Sequence, residues 1–82
     1  MHIEYMSDML SKMVKQKLLQ LGDNSTARLA VLADVSPSLV ENVKNGHIPL
    51  PKNAKKLALA CGSSEEEALK IAEECSSLAK AG

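Results

Sequence analysis

The chain has no Phe and no Trp, and Tyr5 is its one aromatic residue. Without aromatic rings the interior has to be filled by Leu, Val, Ile, Ala and Met, which suits close-packed helices better than a sheet. The same absence disfavours modules that grip single-stranded nucleic acid by stacking bases on aromatic side chains. No stretch alternates apolar and polar residues in the manner of a strand, so the sequence predicts an all-α protein. No apolar run approaches the ~18 residues needed to span a bilayer. The opening Met1-His2-Ile3-Glu4 has neither a basic start nor an apolar signal core, so the expected location is cytoplasmic.

Metal ligands and catalytic sets are also missing. Cys61 and Cys75 lie within helical patterns and read as reduced, packing side chains. Together with His2 and His47 they give no metal-ligand spacing, so neither a metal nor any other cofactor is expected. There is no recognisable Ser/His/Asp or Cys/His set and no glycine-rich phosphate loop, and the sequence does not read as an enzyme.

Length and charge bound the rest. Eighty-two residues make one domain, 1–82, with no room for a second core. The net charge is zero, but it is unevenly spread. Residues 1–64 hold eight Lys/Arg and five Asp/Glu, a balance of +3, whereas residues 65–82 hold two Lys and five Glu, a balance of −3. A mildly basic body with an acidic C-terminal end permits a local phosphate-facing patch.

Apolar spacing predicts five helices, at about 3–21, 25–33, 37–45, 53–61 and 64–79. The first carries Ile3, Met6, Leu10, Met13, Val14, Leu18 and Leu21 on one face and is stopped by Gly22. Ser25 is the expected cap of the second and Ser36 that of the third, with Pro37 in the following first turn. The fifth opens on two overlapping capping-box patterns, Ser63 with Glu66 and Ser64 with Glu67.

The most informative stretch is residues 29–46, LAVLADVSPSLVENVKNG. Two short helical patterns flank a polar turn at Asp34-Val35-Ser36, the footprint of a helix-turn-helix. The succession Leu29-Ala30, Val35-Ser36, Val40, Val43 and Asn45-Gly46, followed by Pro49, Pro51 and Leu57-Ala58, resembles the lambda-repressor-like (Cro and CI type, XRE) DNA-binding family over roughly residues 10–72. Three positions depart from that pattern. Asp34 stands where Gly is usual, Thr26 where many members carry Gln, and Lys44 where Glu often precedes Asn-Gly. The resemblance implies a five-helix lambda-repressor-like bundle whose second and third helices form the helix-turn-helix. It further implies a sequence-specific transcriptional regulator, a small dimeric repressor of phage or mobile-element type that reads a palindromic operator through the major groove.

A recognition helix offers its N-terminal outward residues to base edges, here Pro37, Ser38, Glu41 and Asn42. Asn suits adenine, and Glu accepts from cytosine N4. Phosphate contacts are expected from Ser25 and Thr26 at the second helix, from Lys44 and Asn45 at the end of the third, and from His47 beyond it. In the resembling family, the Asn of Asn-Gly reaches a phosphate. A homodimer is expected, and the surface offered for it is the fifth-helix stripe of Leu69, Ile71, Ala72, Cys75 and Leu78, whose alternative role is to close the domain's own core. The competing reading is a protein-protein interaction module on the same fold, an antirepressor or adaptor, kept open by the zero net charge and by Glu41.

Overall fold

The first helix, α1 (Met6–Leu21), forms because its apolar residues recur along one face. Leu10 and Val14 are fully buried, and Met13, Leu18 and Leu21 pack against the same core. Gly22, at φ +75°, ends it, its N–H bonded to the Leu18 carbonyl at 3.2 Å. The computed structural model describes residues 6–81, with side chains for 9–77, so the expected start at Ile3 lies outside the described residues. Within them there are five helices and no strand.

The second helix, α2 (Ser25–Ala33), buries Leu29, Ala30 and Ala33. Its cap is Asn24 rather than Ser25. Asn24 lies at φ 57°, ψ 32°, a left-handed conformation that Asn tolerates better than most residues, and its side chain makes no capping bond. Because the chain has already turned at Asn24, Ser25 falls inside the first turn. The third helix, α3 (Pro37–Lys44), is capped as the sequence predicts: the Ser36 hydroxyl accepts from the Leu39 N–H at 3.2 Å, and Pro37 opens the helix.

The fourth helix, α4 (Pro51–Ala60), starts two residues earlier than the expected Asn53. Leu50 is extended because a following proline clashes with a helical predecessor, and Pro51 itself needs no N–H partner at the first position. The fifth, α5 (Glu65–Ala81), begins with one of the two capping boxes. The Glu67 N–H donates to the Ser64 hydroxyl at 3.1 Å, and the Ser64 N–H donates to the Glu67 carboxylate at 3.2 Å. Ser63 takes no part in a second box. Its hydroxyl donates to the Ala58 carbonyl at 2.7 Å and so serves the end of α4. The end of α1, both ends of α2 and the start of α3 fall where expected, and the remaining ends differ by one or two residues, as fraying ends do.

Three helices close in the same way. At the end of α2 the Val35 N–H returns to the Ala30 carbonyl (3.0 Å) and the Asp34 N–H to Val31 (3.2 Å). For α3 the pair is His47 to Asn42 (2.9 Å) and Gly46 to Val43 (3.0 Å). For α4 it is Ser63 to Ala58 (3.1 Å) and Gly62 to Leu59 (3.0 Å). This is the Schellman closure, which needs one left-handed residue. Gly46 and Gly62 supply it at φ +100° and +102°, and Asp34 supplies it at φ 57°.

The helices enclose one core in which Leu10, Leu29, Val40, Val43 and Leu57 are fully buried. α1 touches each of the other four helices, and α4 packs most extensively against α5. The radius of gyration, 11.7 Å, is that of a single folded domain of this length. The α5 stripe is largely internal: Ile71, Ala72 and Cys75 are buried in this core. That corrects the expected dimer surface, because side chains closing their own core are not available to a second copy. Leu69 is 50% exposed, and the side chain of Leu78 lies outside the described residues.

Candidate functional site

The α3 helix divides cleanly into two faces. Val40 and Val43 are buried and Leu39 is partly buried, which fixes the helix to the body. Ser38, Glu41, Asn42 and Asn45 recur at i, i+3, i+4 and i+7 and therefore share the opposite face. Ser38, Asn42 and Asn45 are exposed, as is Pro37 at the helix start, and Glu41 is half-buried. The expected base-reading set thus lies at one exposed surface of a helix whose other side is held.

Glu41 is not free. Its carboxylate pairs with the Lys44 ammonium one turn along the same helix. An exposed pair of this kind is weak, about 0–1 kcal/mol, and a carboxylate retains acceptor positions beyond the one in use. The pairing does reduce the charge Lys44 offers to an anion. The i, i+3 spacing of opposite charges was the signal for it in the sequence.

The residues expected at phosphates are partly gathered. Ser25 and Thr26, at the start of α2, line one open groove with Lys44 from α3 and with Lys15, Leu18 and Leu19 from α1. Lys15 was not among the expected residues. It lies nineteen residues or more before the α2–α3 turn in sequence, and only the packing of α1 across α2 and α3 brings it there. The α2 N-terminus presents backbone N–H groups and the positive end of the helix dipole to the same groove. Asn45 and His47 are exposed beyond the end of α3 and do not line it.

The turn between α2 and α3 is braced from α4. The Lys56 ammonium lies 3.5 Å from the Asp34 carboxylate and 3.4 Å from the Asp34 carbonyl oxygen. Of the three lysines on α4, Lys52, Lys55 and Lys56, it is Lys56 that takes this task. Arg28 likewise donates to the Leu21 carbonyl at 3.0 Å and ties the start of α2 to the end of α1.

Neither cysteine has the character of a reactive thiol. Burial pushes Cys61 from 9.0 up to about 11, with the Lys17 charge pulling weakly the other way. Burial, reinforced by the Glu74 charge, also raises Cys75. Both are free thiols. Among the described residues no three His, Cys, Asp or Glu side chains are grouped as metal ligands, and no helix is long and apolar enough to cross a membrane.

One apolar surface falls outside this site. Val31 is 80% and Leu32 59% exposed on the outer side of α2, where they line a shallow groove with Leu21, Ala27 and Arg28. Compared with known protein families, with curated proteins and with solved structures, the chain matches none.

Proposed function

We propose that this chain is a sequence-specific double-stranded DNA-binding domain of lambda-repressor-like architecture, in which α2 and α3 form a helix-turn-helix and α3 enters the major groove. The observation that carries the reading is the polar face of α3, with Ser38, Glu41 and Asn42 aligned on a helix anchored from behind by Val40 and Val43. Side chains that read base edges need such a fixed platform, and Asn and Glu have the donor and acceptor patterns for adenine and cytosine. The groove holding Lys15, Lys44, Ser25 and Thr26 supports the backbone half of the contact.

In this reading Asn42 pairs with adenine, Ser38 contacts a base or phosphate, and Pro37 touches a thymine methyl. One copy covers only a few base pairs, so the domain acts as a homodimer on a palindrome with half-sites ~34 Å apart. Occupying an operator in that way makes it a transcriptional repressor of the small phage or mobile-element kind. Its contribution is binding, with no catalytic step.

Selection from random duplex DNA at about 150 mM salt, followed by a salt series, tests the proposal. The expected result is a palindromic consensus with half-sites one turn apart. Asn42→Ala is then expected to cost about 1–3 kcal/mol and to relax the preference at one base pair of each half-site. A second reading, a protein-interaction module, draws on the exposed Val31 and Leu32, because clustered apolar surface marks protein contacts. No enriched motif, with binding that barely responds to salt, would favour it over DNA.

A further inference from the structure

Among the described residues, Ser11 is the one buried polar side chain, 7% exposed. Its hydroxyl donates to the Lys44 carbonyl at 2.7 Å, joining the middle of α1 to the last residue of α3 across thirty-three positions of chain. The bond falls where the helix end is otherwise incomplete. The Schellman closure of α3 satisfies the Asn42 carbonyl through the His47 N–H and the Val43 carbonyl through the Gly46 N–H. No main-chain N–H among the described residues reaches the Lys44 carbonyl, and Ser11 supplies the missing donor.

Apolar packing fixes how deeply a helix sits far better than it fixes the position along its axis, because dispersion contacts have little directionality. A short hydrogen bond in a water-poor site does have direction, and its length is set within a few tenths of an ångström. We infer that Ser11 is a positioning residue, a tether that sets the axial position of α3 and through it the aim of Ser38 and Asn42. This function for the tether rests on the DNA-reading proposal, and the tether itself does not.

Ser11→Ala removes the donor and keeps a strong helix former at the position. Ser11→Thr keeps the hydroxyl. Two measurements are made on folded protein: the ratio of specific to non-specific duplex affinity, and amide exchange at Gly46 and His47. The Ala variant is expected to lose about tenfold in the ratio, the scale of one mismatched base pair, with non-specific affinity and its salt dependence unchanged. Exchange at Gly46 and His47 is expected to speed up in the Ala variant and to return toward wild type in the Thr variant. A uniform loss of stability predicts neither the selective loss of ratio nor the rescue. An unchanged ratio in Ser11→Ala, beside a wild type that selects DNA, overturns the positioning role while leaving DNA reading intact. If the wild type selects no duplex, DNA reading fails, and unchanged exchange at Gly46 and His47 overturns the tether as well.

Discussion

Among the described residues, Cys61 is the one whose protonation folding alters most. Its thiol rises from 9.0 to about 11 because burial disfavours the thiolate, the Lys17 charge offsetting only part of that. The native thiol therefore holds its proton where the unfolded thiol has lost it. Stability from this source is complete below pH 9 and is lost as the pH climbs from 9 toward 11, since the unfolded state binds fewer protons there. Thermal unfolding should show Tm falling across that window more steeply for the wild type than for Cys61→Ala. Identical slopes would mean that the thiol is no more protected in the native state than in the unfolded chain. The same protection argues against Cys61 as an oxidation sensor, because such sensors depend on a depressed pKa and an accessible thiolate.

Helix ends show where local sequence suffices and where it does not. Ser36, Pro37, Gly22 and the Ser64–Glu67 box act through bonds spanning five residues or fewer, so their roles could be read from spacing alone. The ambiguous cases were settled by competition. Ser63 and Ser64 both matched a capping box, but the Ser63 hydroxyl is taken by the end of α4. Asn24 and Ser25 are equally good capping residue types, and Asn24 occupies the left-handed turn. Asp34, standing where Gly is usual, is the one non-glycine among the three Schellman closures. An Asp is tolerated there and a β-branched residue is not, the strain being about 1–2 kcal/mol for an ordinary side chain. Asp34→Val is expected to lower stability by about that amount, and Asp34→Gly to hold or raise it, in paired denaturant titrations. Equal losses for both would assign the role of Asp34 to its Lys56 pairing rather than to backbone conformation.

At the scale of the whole molecule, the all-helical class and the facing of α3 followed from periodicity, because a period of 3.6 leaves little choice of face. The disposition of α5 did not, since an amphipathic stripe looks the same whether it meets its own core or another copy. Ile71, Ala72 and Cys75 meet their own core. The position of Lys15 was illegible for a related reason: it reaches the α2 groove only through the packing of α1. Among the described residues no carboxylate pairs with Lys15, whereas Lys44 shares its charge with Glu41. On duplex DNA each neutralised phosphate adds about 0.9 to the slope of log K against log salt. Lys15→Gln should therefore flatten the slope by about 0.9 if one copy binds per site and by about 1.8 if two do. Lys44→Gln should flatten it less, because part of its charge already answers Glu41. Anisotropy titrations on the selected duplex across a salt series would measure both, and the Lys15 decrement counts the copies on the operator without presupposing the surface that joins them. An unchanged slope in Lys15→Gln would remove the α2 groove from the phosphate interface and leave the backbone contacts to Asn45, His47 and the α3 end.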